Sequence, residues 1–230
     1  MTARRPTAPR SRRDRPAKPA LTRQGIVAAA VAVLRAEGLE RVTMRRLAQD
    51  LDTGPASLYV YVRNTSELHA AVLDELLGTV GPAPAEGSWR GRLEQVLTAY
   101  TAMLMEHPGL ARSALTARPS GPHHLNLIET LLGLLDEGGV APDRAAWGVD
   151  LLLQHATATA AEHASRDGSA ADRAEWDALA HALHSASDRT HPHIAALAGP
   201  LLSGAPEDRL SWGFQTLING IERTSVPGRP

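Results

Sequence analysis

An all-α fold is predicted by three observations: apolar residues recur at helical spacing over most of the chain, alternating strand patterns are absent, and Pro- or Gly-bearing breaks separate the periodic runs. With 230 residues, 43% of them hydrophobic, the chain can bury a substantial core.

Residues 1–20 come first, with seven basic residues against Asp14 alone. That leaves 17 basic and 24 acidic residues for the rest of the chain, whose net charge is therefore −7. Met1 is the arm's single Leu, Ile, Val or Met residue, so the segment cannot fold on its own and is expected to be disordered. Such an arm suits a polyanionic partner, or is a solvated tail.

Thr22 is placed to cap a first helix, in which Ile26, Ala29, Ala30, Val33 and Leu34 repeat until Gly38. Thr43 caps a second, with Leu47, Ala48 and Leu51 on one face and Arg45, Arg46 and Gln49 on the others. Asp52-Thr53-Gly54 is turn chemistry, and Pro55 suits the first position of a third helix, where a missing N–H costs nothing. Asn64 and Glu67 read as a capping box for a fourth helix through Leu68, Val72 and Leu76. Residues 78–87, with Pro82 and Pro84, mark a boundary.

Beyond it, Leu93 to Leu104 predict a helix ending before Pro108, and Leu125 to Leu135 another, stopped by Gly138-Gly139. A long helix is expected from about Asp143 to His163, then a polar loop over 165–172, a periodic run at Trp176, Leu179, Ala180 and Leu183, and a last helix over roughly 206–223. The domains expected are a small helical unit at 21–77, three of whose helices have a helix-turn-helix layout, and a larger helical bundle at 88–224.

The chain has no cysteine, so disulfides, thiolate metal sites and a Cys nucleophile are excluded. No apolar stretch approaches the roughly 18 residues of a membrane span, and the N-terminus lacks the apolar core of a signal peptide; a cytoplasmic protein without membrane contact is expected. The ten histidines include no HExxH. His155 and Glu162 lie two helical turns, roughly 10 Å, apart, too far for an acid/base pair. No cofactor, metal site or catalytic residue is expected, and the protein is not expected to be an enzyme.

Two short helices joined by a tight turn, the second opening on Gly-Pro, have the layout of a helix-turn-helix DNA reader. Leu47, Ala48, Leu51, Leu58 and Val62 pack inward in this reading, leaving Arg45, Ser57, Tyr59 and Tyr61 for a duplex. The chain holds only eight aromatic residues, and two of its three tyrosines fall here. Residues two apart on a helix point about 200° apart, so both rings cannot share a core face. A Tyr hydroxyl can instead donate to a phosphate while its ring lies along the groove wall.

Residues 21–77, with Thr22, Gly38, Thr43, "RRLAQDL", "SLY" at 57–59 and Glu67-Leu68, resemble the DNA-binding domain of the TetR family of transcriptional repressors. The resemblance implies that Arg45, Pro55, Ala56 and Ser57 face base edges, and that Thr43, Tyr59, Tyr61, Arg63 and Thr65 meet phosphates. Of these, Arg45 alone can pair bidentately with a guanine. The chain departs from the commonest family pattern at Val60 and Thr65, where an aromatic and a Lys are frequent; a Thr holds phosphate more weakly.

Residues 115–163 and 209–224 resemble the ligand-binding and dimerisation core of the tetracycline-repressor branch. The resemblance implies a homodimer whose 143–163 and 206–223 helices form a four-helix interface, with Ala145, Gly148, Leu152, Ala156, Trp212, Gly213, Leu217, Gly220 and Ile221 in contact. Small residues for close approach and apolar bulk fit that role independently. A two-fold dimer implies a near-palindromic double-stranded operator. Branch members hold a magnesium chelate through a His; counting back from Arg118-Pro119 the matching position is Ala114, so a different small-molecule effector is expected. Its pocket is expected among Met103, His107, Leu110, Leu115, Leu131, Leu135, Trp147, Leu151, His155 and Thr159, apolar walls with few polar handles.

The function so predicted is a dimeric DNA-binding repressor released from its operator when a small, largely apolar molecule binds the C-terminal bundle. Two alternatives are a regulator of the same fold that senses no ligand, favoured by a pocket without a void, and an α-helical enzyme using the C-terminal cavity.

Overall fold

The computed structural model describes residues 20–117, 119–166 and 169–228. The predicted basic arm lies outside the described residues apart from Ala20, as does Arg118. Among the described residues the secondary structure is wholly helical. The helices are α1 (Arg23–Glu37), α2 (Met44–Asp50), α3 (Pro55–Leu58), α4 (Thr65–Leu77), α5 (Trp89–Met105), α6 (Pro108–Ala114), α7 (Pro122–Glu137), α8 (Pro142–His163), α9 (Ala170–His184), α10 (Pro192–Leu202) and α11 (Pro206–Arg223), with a 3-10 turn at Leu39–Arg41.

The caps follow from the residues that carry them. The Thr22 hydroxyl accepts from the Gly25 N–H at 3.0 Å, and Gly38, at φ +88°, ends α1 in a conformation that favours glycine. The Thr43 hydroxyl accepts from the Arg46 N–H at 3.2 Å, and Ser88 and Ser169 cap α5 and α9 in the same way. Pro55, Pro108, Pro122, Pro142, Pro192 and Pro206 each open a helix, where their fixed φ helps and their missing N–H is not needed.

Two of these helices, α6 and α10, are absent from the sequence-based expectation. Each begins at a proline that reads as a break, α6 spans only seven residues, and α10 carries Pro200 near its end.

The packing centres on α4. It lies against α1 toward the N-terminal side and against α5, α6 and α7 toward the other, which is why Leu68, Ala71, Val72, Leu73, Asp74, Leu76 and Leu77 are all buried around its circumference. In the larger group α5 packs along α7 and α8, and α11 covers α8 and the start of α5. Tyr100 of α5 and Thr157 of α8 share a buried hydrogen bond of 2.7 Å between their hydroxyls, so this polar pair is satisfied inside the core. Burial pushes the Tyr100 phenol pKa up, opposed by that hydrogen bond. By contrast, α9 packs against α10 and buries none of its own residues.

Candidate nucleic-acid interface

Met44, Leu47 and Ala48 fix α2 by their burial, so Arg45 projects outward. The chain then reverses at Asp52, which sits at φ +49°, and the Thr53 N–H returns to the Ala48 carbonyl at 2.8 Å. After Pro55, the anchors are Leu58 and Val62, both fully buried, and the Val62 N–H donates to the Leu58 carbonyl at 3.0 Å. These anchors leave Pro55, Ala56, Ser57, Tyr59 and Tyr61 outside, Tyr59 at 52% and Tyr61 at 37% exposure. Thr43, Arg45, Arg63 and Thr65 are exposed as well.

The tyrosines take these positions for a reason other than helical periodicity. Helix α3 is a single turn, Tyr59 is its C-cap and Tyr61 lies in the turn beyond, so the 200° relation does not set their directions. Burial of Leu58 and Val62 on either side does. The Thr43 hydroxyl oxygen is already an acceptor for α2, which leaves its hydrogen to donate elsewhere.

The start of α4 differs in one detail from the expected capping box. The Asn64 side chain accepts from the Glu67 N–H at 2.8 Å, but the Glu67 carboxylate reaches the Arg63 N–H at 2.9 Å, one residue before the cap. It also takes the Arg63 guanidinium at 3.0 Å. Hydrogen bonding by the Arg63 backbone, then by its side chain, holds the Glu67 carboxyl below the usual range. Nearby, burial pushes the pKa of the half-buried His69 imidazole down, while the hydrogen bond that its ring donates to the Val42 carbonyl opposes this.

The predicted effector residues are not brought together into one cavity. Met103, Leu110, Leu131 and Leu135 are packed into the core of α5, α6 and α7, with His107 and Thr159 half-buried and Leu115 exposed beyond α6. Trp147 and Leu151, paired on one face of α8 by their i, i+4 spacing, stand on its outer side, both exposed. There they line an apolar groove of about 640 Å³ between α8 and α11, together with Leu217, Gly220, Ile221 and Val226. His155 sits deeper in that seam, edge-on to Phe214 at 5.5 Å, and its Nε2 is buried with no partner among the described residues.

The predicted interface residues divide likewise. Ala145, Gly148, Leu152, Ala156 and Ile221 are buried within their own chain. A Cβ on Gly148 would stand 2.8 Å from Ile221 Cγ2, and one on Gly213 2.6 Å from His155 Nε2, so these two glycines serve close contact of α8 with α11 of the same chain. Trp212, 69% exposed, faces outward on α11, while Gly220, with open space before it, and half-buried Leu217 line the groove.

With this geometry in place, comparison with known proteins is specific. The family model "Bacterial regulatory proteins, tetR family" matches residues 26–72, and "Tetracyclin repressor-like, C-terminal domain" matches residues 81–225. The transcriptional repressor DrrR1 of Streptomyces coeruleorubidus is 30% identical over 92% of this chain and 81% of its own. Among solved structures, the Streptomyces protein SCO7704, described as a transcription regulator, is 57% identical over 93% of this chain and 100% of its own, with a TM-score of 0.78. ActR of Streptomyces coelicolor, solved in complex with actinorhodin, is 38% identical over 87% of this chain and 95% of its own, also with a TM-score of 0.78. On the family match over both halves, the chain belongs to the TetR family of bacterial transcription regulators, which bind DNA through a helix-turn-helix.

Proposed function

We propose that two copies of the chain pair through the outer face of α8 and α11 and repress transcription from a near-palindromic operator. Residues 21–77 act as the reading head and residues 88–224 as the sensing and pairing body. A small, largely apolar molecule bound in the body releases the duplex. The observation that carries this reading is the surface of α2, α3 and the turn after it. Leu58 and Val62 are sealed inside, and Arg45, Ser57, Tyr59 and Tyr61 stand outside. On this surface Arg45 addresses base edges, the tyrosines and Thr43 donate to phosphates, and Pro55 and Ala56 offer apolar contact to a thymine methyl.

Pairing is supported by the groove lined by Trp147 and Leu217 and by the exposed Trp212 of α11, apolar surface of a kind that a second copy buries. Repression and release are supported by the likeness to DrrR1, named a repressor, and to ActR with its bound actinorhodin. Release requires that the molecule prefer the state in which the two heads are wrongly spaced for the operator, because equal affinity for both states shifts nothing.

Selection of a duplex from a random-sequence pool by the purified chain tests the reading. A near-palindromic product bound by a species of twice 24.5 kDa is expected. Failure to enrich any sequence at low salt, or binding by a lone 24.5 kDa species, would overturn it. Titration of that complex with actinorhodin is the first probe of release. The alternative of a regulator without an effector is favoured by one observation, the close packing of Met103, Leu110, Leu131 and Leu135 in the core.

A further inference from the structure

Arg45 and Arg46 are adjacent in the first turn of α2, both off its apolar face. Their surroundings separate them. Arg45 is exposed and makes no side-chain hydrogen bond or ion pair among the described residues. Arg46 makes four such bonds. Its Nε donates to both carboxylate oxygens of Asp50 at 3.0 Å, one turn further along α2. Its Nη1 and Nη2 donate to Glu37, the last residue of α1, at 2.9 and 2.7 Å.

We infer that Arg46 is a positioning residue that bolts α2 to the end of α1, setting the direction in which Arg45 points, and that it is not itself a DNA contact. This rests on the DNA-binding reading above. Three physical points carry it. First, α2 is a seven-residue helix whose buried residues are Met44, Leu47 and Ala48, with Leu51 half-buried at its end, so little apolar surface fixes its rotation about its axis. A planar guanidinium held by two carboxylates in fork geometry removes that freedom, because its bonds fix orientation as well as distance. Second, the Arg46 side chain is 35% exposed and its charge is already matched by two acids. Third, moving it to a phosphate would break four charge-assisted bonds, leaving Asp50 beside a polyanion without its Arg46 partner and Glu37 with the longer ion pair to Arg41 at 3.7 Å. The Arg46 hydrogen bond also holds the Glu37 carboxyl below its usual range, so the bolt is closed at neutral pH.

The test compares Arg46→Gln, Glu37→Gln and Arg45→Gln on the duplex that the wild-type chain selects from a random pool, measuring affinity against salt and preference at each base. A bolt predicts that Arg46→Gln and Glu37→Gln each weaken binding about fivefold, that the double variant is little worse than either, and that both blunt preference at the base Arg45 reads. The slope of log affinity against log salt should stay as in the wild type. A phosphate contact predicts the reverse: Arg46→Gln lowers that slope by about 0.9 and Glu37→Gln, which removes a nearby negative charge, tightens binding. Either of those results overturns the inference. Glu37→Gln keeps it testable if Arg46→Gln fails to fold. A wild-type chain that selects no duplex fails at the first step, and so sinks the DNA-binding reading separately from any variant.

Discussion

Gly121→Ala is the substitution whose effect follows most directly from the structure. Gly121 sits at φ −83°, ψ 174°, a conformation open to any residue, so the glycine is not there for its backbone. It is there for space. A Cβ at this position would lie 2.0 Å from Oδ2 of Asp74 and 2.2 Å from its Cγ, well inside contact distance. Asp74 is buried on α4, and its Oδ1 accepts from the His124 N–H at 2.9 Å in the first turn of α7. The carboxylate must therefore swing away, which adds overpacking strain of about 1–3 kcal/mol. It also forfeits a hydrogen bond to a charged group, worth about 1.5–3 kcal/mol. Partial relaxation leaves a net cost of about 2–4 kcal/mol, which for a chain of this size lowers the melting temperature by roughly 6–12 °C. Thermal unfolding of Gly121→Ala, Asp74→Ala and the double variant is the assay. In the Asp74→Ala background the new methyl meets no carboxylate, so adding Gly121→Ala should cost under about 1 kcal/mol there. Equal cost in both backgrounds, or a single variant that melts within about 1 °C of wild type, would refute the steric account.

Arg45→Ala should relax base preference at one operator position by about 1–3 kcal/mol, read by binding to single-substituted duplexes; equal loss on every sequence would mean that Arg45 touches only phosphate. Tyr59→Phe should weaken binding uniformly, by about 0.5–1.5 kcal/mol, since it removes one hydroxyl and no base contact. Trp212→Glu places a charge on the outer face of α11, and sedimentation should then shift from twice 24.5 kDa toward 24.5 kDa. Acid should destabilise the fold. Burial lowers the pKa of His69, His107 and His124, so below the ordinary histidine value of about 6.5 the unfolded chain binds more protons than the folded one. Stability is fully present above that value and falls as pH drops through the lowered folded values, by up to about 1.4 kcal/mol per pH unit for each histidine. A urea midpoint unchanged between pH 7 and pH 5 would contradict this.

The helices that position the reading surface were legible because each carries its own start and stop chemistry. Thr22 and Gly38 bound α1, Thr43 opens α2 and Pro206 opens α11, and these are local signals. Less legible was anything set by which neighbour a face meets. Trp147 and Leu151 do share one face of α8, but spacing alone does not say that the face looks out over a groove and not into the α5 core. Gly148 and Gly213 advertise close approach, yet only the coordinates show that Ile221 and His155 of the same chain are what approach. Asp74, in the run Val-Leu-Asp-Glu-Leu-Leu, looks like an exposed acid of an amphipathic helix; its burial depends on a glycine 47 positions away. Arg46 is the same case at shorter range, its partners lying nine residues back and four ahead.

These non-local contacts bear on how the two halves of the chain stay coupled. A displacement in the body can reach the reading surface through the elements that touch both halves, chiefly α4, flanked by α1 on one side and by α5, α6 and α7 on the other, and also α6 where it meets the 3-10 turn at Leu39. Apolar burial is non-directional and does not by itself fix the register of α4 along its neighbours. The Asp74 carboxylate in its notch at Gly121 does not slide, and neither does Gly78, where a Cβ would lie 2.9 Å from the His123 ring. Both contacts fall at the start of α7, so displacement of α7 must be followed by α4 or must break the part-buried Asp74–His124 hydrogen bond. Loosening that joint with Asp74→Ala should therefore leave an operator complex that forms but responds less to whatever occupies the body, whereas a loss of duplex binding with unchanged response would place the coupling elsewhere along α4.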